Sequence, residues 1–305
     1  MLSSTMPTMP AAPIVATLPV TPESQHDRES AYRMGTVASY ALAVERVIQA
    51  MRAQLAEPLS LEEMAEIACL SPFHFNRVFR SITNIPPGEF LAVQRLDAAK
   101  RLLLTTSLSV TDVCFELGYT SLGTFTTRFK QLAGMSPLQL RQLAGVLAFT
   151  TVNPRYAGYP GAQRLTFLRD GGVYGVRGSI TAPGPLSGLI FIGLFPRPIP
   201  QGRPLACTVL PAPGAFHIHP VPDGRYYLFA AALPQSQRAL AYLVPTSGLL
   251  VAKYSHPVIV QGGRAHGAVA LALRPPQVTD PPVLALPPLL ATPIAVTMRD
   301  MSLLS

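Results

Sequence analysis

Two stretches decide the first half of this chain: "LSLEEMAEIACLSPFHFNRVFRSITNIPP" (59–87) and "LSVTDVCFELGYTSLGTFTTRFKQLAGMSP" (108–137). They are one unit written twice. The offset is 49 residues at the start and 50 after an insertion in the central turn. Phe75 matches Phe125, Phe79 matches Phe129, Arg80 matches Lys130, Asn84 matches Gly134 and Pro87 matches Pro137. Each unit reads as helix, tight turn, helix. Ser60 followed by Glu63 is a capping box, in which each side chain takes the other residue's backbone N–H, and Ser109 with Asp112 nearly repeats it. Ser71 before Pro72 places an N-cap ahead of a proline at the first helical position, and Ser121 caps the matching helix. Asn84 and Gly134 stand where a left-handed C-cap is wanted, and they are the residue types that tolerate it best.

The second helix of each unit has two faces. Phe75, Phe79 and Ile82 recur at helical spacing and form an inward stripe, as do Phe125, Phe129 and Leu132. Asn76, Arg77 and Arg80 look outward, joined by Phe73, a large ring on the polar face at the helix start. In the second unit Gly123, Thr124, Thr127, Arg128 and Lys130 occupy the remaining surface. One amphipathic helix with arginines is most simply a solvated face. Two of them, each following a capped helix and a tight turn, form the arrangement in which the second helix enters a major groove. Between the units, "GEFLAVQRLDAAKRLLLTT" (88–106) has no breaker after Gly88 and predicts one long connecting helix. Val44, Val47, Ile48, Met51 and Leu55 predict a leading helix over 40–55 that packs inward.

Residues 40–145 resemble the AraC/XylS family of bacterial transcription regulators. The likeness rests on "LSLEEMAEIACLSPFHFNRVFR", "RLDAAKRLLLTTSLSVTDVCFELGYTS", "TFTTRFK" and "GMSPLQLR". It implies seven helices, with two helix-turn-helix units on a rigid connecting helix. Recognition helices 72–82 and 122–132 would enter successive major grooves, roughly 34 Å apart. By position it implies base contacts from Phe73, Asn76 and Arg77: arginine pairs with guanine, asparagine with adenine, and a ring meets a thymine methyl. In the second unit the base-facing positions are Gly123, Thr124 and Thr127. Thr127 stands where many relatives carry arginine, and Arg128 comes next. Ser71, His74, Arg80, Ser121, Arg128 and Lys130 are assigned to phosphates.

The rest of the chain has another composition. It holds 305 residues, room for two domains with tails, and 32 prolines. Proline and glycine are sparse from 36 to 133 and frequent after 150, which marks a helical domain followed by strands and loops. From 163 to 276 short apolar segments recur, among them "LIFIGLF", "PLACTVL", "AFHIHPV", "RYYLFAAAL" and "HGAVALAL", separated by turns such as "PDG" and "QGG". This predicts an antiparallel β-sandwich. "GAFHIHPVPDGRYYLFAAAL" (214–233) and "GSITAPGPLSGLIFIGLF" (178–195) resemble carboxypeptidase-regulatory, or prealbumin-like, domains. "GGRAHG" reads as a turn. The expected fold is therefore multidomain: a tail over 1–38, an all-α tandem helix-turn-helix domain over 39–145, a linker over 146–162, an all-β sandwich over 163–276 and a Pro-rich tail over 277–305.

The net charge is +8, and it is uneven. Residues 40–145 carry ten Lys/Arg against nine Asp/Glu, whereas 146–305 carry twelve against four. A DNA reading of the helical half thus rests on where its charges lie. Cys69, Cys114 and Cys207 form no CxxC pair, which suits a reducing, cytoplasmic compartment. The longest apolar run, 186–195, is too short for a membrane helix. In "FHIH" His217 and His219 share one strand face, the spacing of two metal ligands, although a solvent face explains them more simply. There is no nucleophile elbow, P-loop or carboxylate pair. The expected function is a sequence-specific DNA-binding transcription regulator that is not an enzyme and needs no cofactor. Its expected partners are double-stranded DNA and RNA polymerase, with a small-molecule or protein effector at the sandwich. A ligand- or metal-binding sandwich with a catalytic role, addressed to DNA by the helical half, is the alternative.

Overall fold

A computed structural model describes residues 22–148, 174–236, 238–243 and 247–283, with side chains from residue 37 onward. Seven helices come first: α1 (Pro22–Ala53), α2 (Leu61–Ala68), α3 (Pro72–Thr83), α4 (Pro87–Thr105), α5 (Val110–Glu116), α6 (Leu122–Ala133) and α7 (Pro137–Ala148). Helix α1 begins inside the stretch read as a tail, because no second proline follows Pro22 and Glu, Gln, Arg and Ala favour helix there. Helix α7 runs to Ala148, so the first residues assigned to the linker are helical. Residues 149–173, and with them most of that linker, lie outside the described residues.

The predicted caps set the helix ends. Both capping boxes form, Ser60 with Glu63 and Ser109 with Asp112. Asn84 at φ 67° and Gly134 at φ 83° end α3 and α6 in the left-handed conformation. A second matched pair lies in the central turns, where Cys69 (φ 57°) and Gly118 (φ 73°) are also left-handed. A Cβ on Gly118 would stand 2.0 Å from the Ala56 carbonyl oxygen, so only glycine fits. The rings of the inward stripes stack in series. Phe75 and Phe79 meet edge to face with centroids 5.5 Å apart, and Phe79 meets Phe90 of α4 in the same way at 5.5 Å. In the second unit Tyr119, Phe125 and Phe129 repeat the series. Helix α4 thereby joins both units, and its Arg95 donates to the Leu55 and Glu57 carbonyls beyond the end of α1, at 2.7 Å each.

Among the described residues nine strands follow: β1 (Val176–Thr181), β2 (Gly188–Phe195), β3 (Ala206–Leu210), β4 (Gly214–Ile218), β5 (Gly224–Pro234), β6 (Leu250–Lys253), β7 (Val258–Gln261), β8 (Arg264–Ala265) and β9 (Val269–Ala272). One sheet has the order β4-β1-β9 and the other β3-β2-β5-β7-β8, with β6 also pairing β5. Val176, Ile180, Phe216 and Leu271 of the first sheet share one core with Ile190, Ile192, Leu228 and Val260 of the second, which makes a sandwich. Two expectations are corrected. The pair β1–β9 is parallel, because the last strand returns alongside the first after the chain has crossed the other sheet. "GGRAHG" is only half turn: Gly262 and Gly263, both at positive φ, make the bend, and Arg264 and Ala265 are β8. Asp223 of the "PDG" turn pins that bend by accepting from Gly262 N and Gly263 N at 2.8 and 2.7 Å, bonds that hold its carboxyl below the usual range.

The larger sheet is buried on both faces at its centre, along β2 and the second half of β5. An antiparallel sandwich strand ordinarily alternates apolar and polar, yet β2 is buried from Leu189 to Phe195. Its inner residues enter the sandwich core, while Leu189 and Phe191 join Leu233 and Tyr242 in a second cluster on the outer face. The start of the Pro-rich tail lies on this side too. Arg274 exchanges backbone hydrogen bonds with Val251 and grips Asp280 through two side-chain bonds of 2.6 and 2.8 Å. Residues 277–283 are therefore a folded strap, and the remainder of the tail lies outside the described residues.

Candidate nucleic-acid interface

Helix α3 is built so that its start and its outer face are free. Pro72 supplies the fixed φ of a first helical residue and lacks the N–H that would go unpaired there. Ser71 occupies the N-cap position, but its side chain makes no cap hydrogen bond. Its hydroxyl, exposed, is left for another acceptor or donor. Phe75, Val78 and Phe79 are buried, which turns Phe73, Arg77 and Arg80 outward. Phe73 is 83% exposed, the most of any large apolar side chain among the described residues. Asn76 is half-buried beside it. The Arg77 guanidinium donates to Nδ1 of His74 at 3.2 Å, so the histidine holds the arginine's direction. That positioning contact was not foreseen, although the spacing of three between the two residues was open to view.

Helix α6 repeats the design with smaller side chains. Ser121 accepts from Thr124 N at 3.4 Å and so caps the helix. Phe125, Phe129 and Ala133 are buried, and Gly123, Thr124, Thr127, Arg128 and Lys130 are exposed. Ser121, Gly123, Thr124, Thr127 and Arg128 line one open, shallow depression, together with Gln131. Gln131 is the residue that sequence reasoning missed. It lies four positions after Thr127, on the same side of the helix, and helical spacing alone could have added it. Ile82 and Leu132, expected inside, are only half-buried at the margins of their stripes.

Contacts with the β-domain reach the end of α6 and the start of α4. The β2–β3 loop (196–205) lies against the end of α6, where Gly202 N donates to the Leu132 carbonyl. Arg197 of that loop pairs with Glu89 in the first turn of α4. The sandwich is therefore packed on the helical half and not strung behind it.

Residues 64–143 match the family described as "Helix-turn-helix domain". Over 94 residues the chain is 32% identical to the HTH-type transcriptional activator AarP of Providencia stuartii, covering 31% of this chain and 70% of that protein. The chain belongs to the AraC/XylS family. A second relative is the bifunctional transcriptional activator/DNA repair enzyme AdaA of Bacillus subtilis, 31% identical over 101 residues. That match covers 33% of this chain and only 48% of AdaA. Among solved structures, the DNA-binding domain of AdpA in complex with a target DNA is 32% identical, covering 32% of this chain and 89% of that one, with a TM-score of 0.32. An AraC-type regulator from Chromobacterium violaceum is 23% identical, covering 35% and 96%, with a TM-score of 0.34.

The remaining candidate positions lie in the sandwich. His217 and His219 do point away from the buried Phe216 and Ile218, and their rings stack at 5.9 Å. The His217 ring nitrogen Nε2 is bonded to the Tyr174 carbonyl at 2.6 Å. Among the described residues no three His, Cys, Asp or Glu side chains gather as a metal site would need. Cys69, Cys114 and Cys207 are free thiols, and burial pushes the Cys114 and Cys207 thiols up. Among the described residues no helix is long and apolar enough to cross a membrane.

Proposed function

We propose that the chain is a sequence-specific DNA-binding transcription regulator that places α3 and α6 in successive major grooves. Phe73, Asn76 and Arg77 read bases in the first groove, and Gly123, Thr124 and Thr127 in the second. Ser71, His74, Arg80, Ser121, Arg128 and Lys130 bind phosphate and sugar and fix the register. The observation that carries this reading is the exposed ring of Phe73 at the proline-led start of α3, beside Asn76 and an Arg77 already aimed by His74. An isolated ring in water has no folding benefit, but it can cover a thymine methyl. The small residues of α6 permit a close approach and favour shape over direct readout.

The sandwich acts as an effector or partner module, and RNA polymerase is the protein partner. The regulator works in the cytoplasm, without a catalytic step of its own. The relatives' names support the regulatory reading, although AdaA is also named a DNA repair enzyme. The test is a randomised-site selection with the full chain. The expected product is a site with two conserved blocks one helical turn apart, about 10 base pairs. A selection that returns no preferred sequence would reject this reading in favour of a sequence-tolerant binder.

A further inference from the structure

The outer face of the larger sheet does not close fully against the helices. A cavity of about 530 Å³ remains between β2, β5 and β6 on one side, α4 on the second and the strap 274–283 on the third. That is within the range of roughly 300–1,000 Å³ that small-molecule sites occupy. Its floor is apolar, with Phe191, Phe195, Phe229 and Leu233 among the lining side chains.

The polar groups of the wall are the informative ones. Gln94 of α4 is only 6% exposed, and its Nε2 has no hydrogen-bond partner. A buried amide N–H without an acceptor is costly, so such a group marks a place where an acceptor is meant to arrive. Lys100, also on α4, is 5% exposed and reaches no further than the Val283 carbonyl at 3.5 Å. A buried ammonium is tolerated when a counter-charge compensates it. The acids near the cavity are already engaged: Asp97 with Arg101 at 3.0 Å, and Asp280 with Arg274. Arg52, Lys100 and Lys253, which also line the cavity, form no ion pair among the described residues. Burial holds the Lys100 amine below its ordinary range, and the Asp97 carboxylate offsets this only in part.

We propose that this cavity binds an amphipathic monocarboxylate, with its apolar body on the phenylalanine floor and its carboxylate taken by Lys100 and the free Gln94 amide. The site deepens the reading of the sandwich as an effector module, and it rests on that reading only for its regulatory role. Its wall is α4, the helix that spaces the two recognition helices. A bound carboxylate would thus bear on the element that sets their separation.

The probe is decanoate, titrated calorimetrically into the full chain, with decan-1-ol and decylamine as controls of equal length. Specific DNA affinity is measured on the same samples. The expected result is one decanoate per chain, bound about ten-fold or more tightly than the alcohol, with no binding of the amine. Ten-fold is the order of effect of one charge-assisted contact. Lys100→Met should bring decanoate down to the level of the alcohol, and Gln94→Leu should weaken it several-fold, while both variants keep their DNA affinity. No uptake of decanoate, equal uptake of decanoate and alcohol, or full binding in both variants would overturn the proposal. Decanoate binding that leaves DNA affinity unchanged would keep the site and overturn the effector role. Protein that binds decanoate but no preferred DNA sequence would instead count against the regulator reading alone.

Discussion

Phe73 and Phe79 are both phenylalanines of α3 and have opposite fates: the first is 83% exposed, the second fully buried against Phe75 and Phe90. Their alanine substitutions should separate accordingly. Phe79→Ala, like Phe129→Ala in the second unit, should lower stability by roughly 3 to 5 kcal/mol, the usual cost of deleting a buried ring. Phe73→Ala should leave the melting temperature within error and weaken DNA binding. Melting curves and titrations on one set of samples check both, and a fall in melting temperature for Phe73→Ala would mean that its ring packs in solution. The arginines divide in the same manner. Arg77→Ala should cost roughly 1 to 3 kcal/mol on the preferred site and relax the choice of one base. Arg80→Ala should weaken all sequences alike and flatten the salt dependence by about one contact. Competition between specific and random DNA tells these outcomes apart. Gly118→Ala brings a Cβ onto the Ala56 carbonyl at a left-handed φ, and its melting temperature should drop sharply.

Helices α2 and α5 begin at serines whose partners are acids. Glu63 accepts from Ser60 N and Oγ, and Asp112 is held by the Ser109 hydroxyl and by Ser109 N, which keeps both carboxyls below the usual range. A carboxyl with a depressed folded pKa contributes stability above its unfolded value, near pH 4, and that contribution disappears as the pH falls through the folded value. Thermal stability should therefore decline from about pH 4 downward, and the decline should be smaller in a Glu63→Gln/Asp112→Asn double variant. Equal slopes in the two proteins would show that the boxes do not titrate with folding. These elements could be read in the sequence because each leaves a local signature: a serine three residues before an acid, a proline at a first turn, asparagine or glycine at an end. The outward faces of α3 and α6 could be read for the same reason, since helical spacing fixes which residues share a side. What could not be read is set by distant partners. Nothing near β1 announces that β9 will pair with it in parallel, and no spacing rule shows that Asp223 pins a bend at 262–263. Gln94 and Lys100 look like ordinary polar positions of a connecting helix until a sheet nearly a hundred residues away covers them.

That cover has a direct chemical readout. The chain contains only three lysines, Lys100, Lys130 and Lys253. Lys130 is exposed on α6, Lys253 is half-buried with its ammonium over the Phe229 ring, and Lys100 is buried. Brief acetylation of the native full chain should label Lys130 first and Lys100 last, and the order should vanish in denaturant. Rapid labelling of Lys100 in the native state would mean that the sandwich lifts away from α4. Bound DNA should protect Lys130 if its ammonium meets phosphate. The two-sided burial of β2 also bears on how such a protein could have arisen and be rebuilt. A domain joined only by a tether can be exchanged for any other, because its surface was already fit for water. Here Phe191 and Phe229 of the sheet face α4 and the strap across a shared cavity. Grafting a relative's helical domain onto this sandwich would leave those rings against a foreign helix, and the hybrid would be prone to aggregate. A working chimera must carry the cavity-facing residues of α4, Gln94 and Lys100 among them, across with the sheet.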